Sequence, residues 1–225
     1  MKIQRKLSTL IITLGLFIIP NLGIAKSKQL SANKSEKMKQ AKVFINHGYM
    51  ASPDSHWFPW LKKQIEKEGG QVDVLQMPET NSPKAPAWNE VLKKEIKTPN
   101  EHTYFVGHSL GCINLLNYLS SLPESTRIGG IICVSGFSES LPNLTLLNEF
   151  TAKKYDVNRL KKIAAQRVVI VAEDDQIVAP EITARLSKEL EAPLHRIKKG
   201  GHFLDSDGFT EFPLVFSELK KMIEN

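Results

Sequence analysis

Thr103-Tyr104-Phe105-Val106-Gly107-His108-Ser109-Leu110-Gly111-Cys112-Ile113-Asn114-Leu115-Leu116 is the stretch from which the fold can be read. Its opening residues are aromatic and β-branched, the composition of a buried strand, and its closing residues carry the apolar spacing of a helix. Between them stands Gly-x-Ser-x-Gly. At a strand-to-helix junction this pattern predicts a sharp turn with a strained serine backbone, because a Cβ at either glycine would collide with the neighbouring strand or helix. The turn lifts Ser109 Oγ above the sheet, at the positive end of the following helix, where a developing oxyanion is favoured. Without a strand before it and a helix after it, the pentapeptide would read as an ordinary turn.

Outward from this junction the chain alternates. Short apolar runs recur at residues 42–46, 72–75, 103–106, 130–134, 168–172 and 194–197, and several are continuously apolar, as in parallel strands buried on both faces. Helix-length segments with apolar residues three and four apart fill the intervals at 57–68, 88–96, 110–122, 159–165, 181–191 and 212–223, with Pro180 well placed to start the fifth. The alternation predicts an α/β class: a doubly wound, mostly parallel sheet of about six strands, helices on both faces, and active groups at the carboxyl ends of the strands. The longest interval, 135–166, has room for a helix or two but not a full lid domain. Residues 136–142 and 144–150 are expected to form a small flap beside Ser109.

A serine hydroxyl is a weak nucleophile and needs an imidazole base oriented by a carboxylate, in the chain order Ser, Asp or Glu, His for this kind of elbow. The run 167–172 leads directly into Glu173-Asp174-Asp175-Gln176-Ile177-Val178, and the next strand ends in Lys199-Gly200-Gly201-His202-Phe203. Paired glycines free that backbone to aim His202. The frame small-x-x-Asp-x-x-Val selects Asp175 over its neighbour Asp174, which is left to serve the loop by capping its own backbone, with Glu173 a third choice. The oxyanion donors are expected to be the amide of Leu110 and one amide from His47-Gly48-Tyr49-Met50-Ala51, either Tyr49 or Met50. His47 is expected to hold that loop by a hydrogen bond.

The segment His47-Gly48-Tyr49-Met50-Ala51-Ser52-Pro53-Asp54-Ser55-His56-Trp57-Phe58-Pro59-Trp60-Leu61, taken with Gly107-His108-Ser109-Leu110-Gly111, Asp175 and Gly201-His202-Phe203, resembles the small α/β-hydrolase family of retinoblastoma-binding-protein-nine homologues and bacterial YdeN-like proteins. The resemblance spans nearly the whole chain after residue 42. The elbow and the Gly-His pair belong to the superfamily at large, whereas His-Trp-x-x-Trp-Leu so soon after the first loop is more particular to the family. It implies an α/β-hydrolase fold, a compact serine hydrolase with Ser109, Asp175 and His202 as triad, a small-molecule acyl substrate and no cofactor. The protein partner in the family's name is not implied, since Leu-x-Cys-x-Glu is absent from this sequence. Rival expectations are a binding module that kept the fold, and an acyltransferase or peptidase that uses the same triad.

Other residues have simpler readings. Trp57, Phe58 and Trp60 are expected in the core, His56 as a bridge between loop backbones, and His102 and His195 as surface or satisfied histidines. Asp205 and Asp207 follow His202, out of order for the acid, and read as turn and cap residues. Cys112 and Cys133 are expected to be buried thiols, a disulfide being the alternative. Metal-ligand spacings, phosphate loops and dinucleotide fingerprints do not occur, so the sequence offers no support for metal or nucleotide chemistry.

At the N-terminus, Lys2, Arg5 and Lys6 precede an uncharged stretch at 7–19 and then Gly23-Ile24-Ala25, the order of a secretory signal peptide cleaved after Ala25. An uncleaved membrane anchor is the alternative. Residues 26–42 hold six Lys, one Glu and hardly any large apolar side chain, and read as a basic flexible linker ahead of a single domain at 43–225. The formal charge of +6 is concentrated in these two segments. Residues 43–225 carry 21 basic and 23 acidic side chains, so the charge points to an export address and gives no case for nucleic acid.

Overall fold

The computed structural model describes residues 22–225. In chain order the main elements are α1 (Leu22–Gln40), β1 (Lys42–Asn46), α2 (Phe58–Lys67), β2 (Gln71–Leu75), α3 (Ala85–Glu95), β3 (Thr103–His108), α4 (Leu110–Ser121), β4 (Gly130–Val134), α5 (Asn148–Thr151), α6 (Val157–Ile163), β5 (Arg167–Ala172), α7 (Pro180–Glu189), β6 (Leu194–Ile197) and α8 (Pro213–Glu224). The six strands pair in parallel in the order β2-β1-β3-β4-β5-β6. This is the doubly wound, parallel α/β sheet that the alternating pattern predicts.

Continuously apolar strands are explained by burial on both faces. In β1, Phe44 faces a layer built from α3, α4, α6 and α7, where Trp88, Leu92, Leu115, Leu160 and Leu186 pack together. Val43 and Ile45 face the opposite layer, formed by Phe58, Leu61 and Ile65 of α2 and Val215 and Leu219 of α8. Trp57 and Phe58 are completely buried in this second layer, and Trp60 packs on its edge against Phe216, so the aromatic run is core. Complete burial of each such side chain contributes ~1.5–3 kcal/mol.

The expected linker is corrected. Residues 26–40 belong to α1, whose last two turns are tied into the domain: Met38 is 2% exposed and lies in the α2–α8 layer, while Lys34 Nζ reaches Glu224 Oε2 at 2.7 Å and Lys37 Nζ donates to the Glu224 carbonyl at 2.8 Å. Lys and Glu are good helix formers, and a single apolar side chain at the right phase is enough to dock the end of a helix. The expected signal peptide lies mostly outside the described residues. Among those described, no helix is long and apolar enough to cross a membrane.

The order of the sheet fixes where a site can form. The chain passes from β1 to β2 on one side and then to β3 on the other, so the winding direction switches between β1 and β3. A crevice opens there at the carboxyl ends of the strands. The loop after β1 and the turn after β3 carry the segments of interest.

Candidate active site

The turn after β3 has the geometry that its glycines require. Ser109 sits at φ 52° and ψ −120°, a region that costs a non-glycine residue ~1–3 kcal/mol, and its N–H donates to Val134 O at 2.9 Å. A Cβ on Gly111 would lie on the carbonyl of Asn46 and 2.7 Å from that of His47, and one on Gly107 would lie 2.8 Å from Cys112 Cα. Helix α4 can therefore approach the end of β1 only because Gly111 lacks a side chain, and fold back on β3 only because Gly107 does. Its first turn holds Ser109 at the helix N-terminus.

Asp175 follows β5 and His202 follows β6. The His202 ring faces Asp175, with Nδ1 donating to Oδ2 at 2.8 Å, which leaves Nε2 as the lone-pair nitrogen. Asp175 is 2% exposed, and each of its oxygens is held: Oδ1 accepts from the amides of Ile177 at 2.9 Å and Val178 at 3.0 Å, and Oδ2 also accepts from Ser135 Oγ at 2.8 Å. Together these donors replace the water that a carboxylate loses on burial. Ser109 and His202 line one cavity of about 320 Å³ together with Tyr49, Met50, Leu144 and Ile177. Among the described residues no hydrogen bond joins Ser109 Oγ to His202, and such contacts commonly tighten only with substrate in place.

Asp174 reaches beyond its own backbone. Its Oδ1 accepts from the amides of Gly200 at 2.8 Å and Gly201 at 2.9 Å, so it ties the acid loop to the loop that carries His202, and these bonds hold its carboxyl below the usual aspartate range. Asp207 completes the brace by accepting from the amide of His202 at 2.8 Å. Glu173, the third choice for the acid, lies exposed beside them.

Of the oxyanion amides, Met50 drops out: its N–H donates to Thr80 O at 3.0 Å. Among the described residues the amides of Tyr49 and Leu110 have no acceptor within the chain; Leu110 is the first residue of α4, where helix geometry supplies none. His47 holds this loop, its Nε2 accepting from the amide of Met77 at 3.2 Å and its Nδ1 donating to Gly48 O at 2.9 Å. Burial lowers the pKa of His47 and keeps it neutral, as this pairing demands. His56 bridges loops by accepting from the amide of Asp205 at 3.1 Å. Cys112 and Cys133 are buried free thiols, and burial pushes the Cys112 thiol up.

The sequence profile of the Serine hydrolase family matches residues 43–221. The chain belongs to the serine hydrolase family. Within it, this hydrolase is similar to the hydrolase YdeN of Bacillus subtilis (strain 168), at 44% identity over 177 residues that cover 79% of this chain and 93% of YdeN. The solved structure of the B. subtilis ydeN product superposes with a TM-score of 0.80 at 42% identity, covering 82% of this chain and all of that one. A yden-like hydrolase from Pectobacterium atrosepticum shares the fold with a TM-score of 0.65 at 14% identity, over 87% of this chain and 97% of the other.

Two polar groups of the hydrolase escape a reading of the sequence. Ser135, held at φ 45° directly after β4, supplies the hydroxyl on Asp175. His108, the variable residue before Ser109, donates from Nε2 to the carbonyl of His202 at 2.8 Å and so latches the histidine loop to the elbow. Burial, and then the neighbouring His202 ring, hold the His108 pKa well below its ordinary value. Both positions adjoin the carboxyl end of a strand, the one signal that could have drawn notice to them.

Proposed function

We propose that the protein hydrolyses small acyl esters, or the corresponding thioesters or amides, through an acyl-enzyme on Ser109. The observation that carries this reading is the convergence on one cavity of Ser109, raised on a strained elbow at the N-terminus of α4, and of His202, whose Nδ1 is fixed by buried Asp175. In the first half-reaction Ser109 Oγ attacks the acyl carbon while His202 Nε2 takes its proton. The amides of Leu110 and Tyr49 receive the negative charge that develops on the carbonyl oxygen. Collapse breaks the bond to the leaving group, which takes the proton from His202. Water then attacks the acyl-enzyme by the same route and releases the acid.

Asp175 holds the imidazole in the tautomer with Nε2 free and offsets the charge of the imidazolium. Asp174, Asp207 and His108 act on the backbone of the His202 loop and keep that ring in place. No cofactor enters this scheme, and acyl transfer or peptide cleavage would use the same groups. The first 25 residues support export, with a mature N-terminus at Lys26; recovery of an intact Met1 terminus outside the cytoplasm would overturn that part. For the chemistry the test is labelling by a fluorophosphonate probe, expected in the wild type and absent in Ser109→Ala. A wild-type protein that neither labels nor turns over p-nitrophenyl acetate or butyrate refutes the reading.

A further inference from the structure

The mouth of the Ser109 cleft has a distinctive chemistry. Among the described residues the exposed large hydrophobic side chains are Met50 at 64%, Leu146 at 45% and Ile177 at 37%. Met50 and Ile177 line the cleft, and Leu146 lies two residues beyond Leu144, which lines it as well. Single exposed apolar residues are ordinary on any protein surface, but two of these three, Met50 and Ile177, line one cavity together with Leu144, which marks a surface kept apolar for contact. In a sequence with 24% charged residues, no Asp, Glu, Lys or Arg lines this cleft.

The rim is held by backbone. Met50 is fixed at φ 58° with its amide on Thr80 O. Ile177 donates its amide to Asp175 Oδ1 and accepts from Asn143 Nδ2 at 3.2 Å, so the carboxylate that orients His202 also positions this side chain.

We infer that this cleft selects uncharged substrates with an apolar acyl substituent, and that Met50 and Ile177 are its specificity-determining side chains. The inference rests on the acyl-enzyme mechanism proposed above. Because His202 must protonate the leaving group, that group lies on the His202 side. The acyl substituent is left to the walls made by Met50, Leu144 and Ile177. A free α-ammonium would meet no carboxylate there and an acyl carboxylate no cation, so either would lose hydration without compensation. A volume of about 320 Å³ stands at the lower end of the ~300–1,000 Å³ typical of small-molecule sites, which favours short and medium chains over long lipids.

The test is kcat/KM of the full chain for p-nitrophenyl acetate, butyrate, hexanoate and hemisuccinate and for an α-aminoacyl p-nitroanilide, with fluorophosphonate labelling run in parallel. The wild type is expected to gain about two- to fourfold per added methylene, the upper figure corresponding to ~0.8 kcal/mol for a fully buried CH₂. Hemisuccinate and the aminoacyl amide are expected to fall at least about tenfold below butyrate. Met50→Gln and Ile177→Asn are expected to remain labelled by the probe, which shows that the nucleophile survives, while flattening the chain-length slope. Labelling that persists with a flat wild-type profile, with a preference for a charged acyl group, or with an unaltered slope in both variants overturns the inference and leaves the hydrolase reading intact. A wild type that neither labels nor turns over any of these substrates overturns both.

Discussion

Lowering the pH from 7.5 to 5.5 is expected to cost the folded protein about 1.4 kcal/mol through His108 alone. The imidazole is 2% exposed and donates from Nε2 to the His202 carbonyl, and burial beside the His202 ring holds its pKa well below the ordinary histidine value. In the unfolded chain it titrates near ~6.5. The unfolded state therefore binds a proton that the folded state refuses. This contribution to stability is fully present above the unfolded pKa and is lost as the pH falls below it toward the folded one. For a ring that stays neutral in the folded state at pH 5.5, the difference between the two pH values is about RT ln 10, or ~1.4 kcal/mol. His47 and His56 are shifted in the same direction, chiefly by burial, and add to the loss. Against a typical stability of ~5–15 kcal/mol the change is readily measured. Urea titrations at both pH values, followed by the fluorescence of buried Trp57 and Trp88, supply the assay. His108→Gln places an amide N–H near the Nε2 position without a titrating group. It is expected to be less stable at pH 7.5 but to lose about 1.4 kcal/mol less on acidification than the wild type. Equal losses in the two proteins, or a wild-type midpoint that does not move, would refute the assignment of a neutral buried His108.

Asp175→Asn is expected to retain the fold and to lower kcat by about 10⁴-fold, because an amide at that position no longer selects the His202 tautomer with Nε2 free; steady-state kinetics beside a circular dichroism spectrum check both parts. Ser135→Ala removes one of the donors to a buried carboxylate, and a loss of ~1.5–3 kcal/mol of stability is expected in urea titrations, together with a lower kcat. Met38→Ala is expected to cost ~2–5 kcal/mol if the last turn of α1 is part of the core, whereas a solvated linker would show no change in thermal melting.

Much of the architecture was legible because it rests on local rules. The six strands and the helices around them follow from apolar runs and their periods, and Gly107-His108-Ser109-Leu110-Gly111 identified the elbow because only Gly111 lets α4 pass so close to the carbonyl of Asn46. Asp175 and His202 were singled out by their frames and their order along the chain, and the fold pairs their side chains at 2.8 Å. The exceptions share a cause. Residues 26–42 looked like a linker because a polar composition hid the weight of one apolar side chain, Met38, whose value depends on a groove made by distant helices. Tyr49 and Met50 could not be told apart until Thr80 was seen to occupy one of their two amides. Asp174 reads as a local cap, yet its partners lie 26 and 27 residues away.

By itself, then, the sequence determined the alternation of strands and helices and the strained turn at Ser109, and it singled out Ser109, Asp175 and His202 as candidates. Each is a property of a few consecutive residues, or of their order, and needs no knowledge of what lies across the sheet. Tertiary structure alone decided how those groups are supported. Ser135 on Asp175, His108 on the His202 carbonyl and Asp174 on the Gly200 and Gly201 amides are contacts between loops that meet only because parallel strands bring their carboxyl ends to one edge. The apolar lining of Met50, Leu144 and Ile177 arises in the same way. Hydrogen bonds and burial depend on distance in space, and where a loop is long the sequence encodes that distance only through the whole fold.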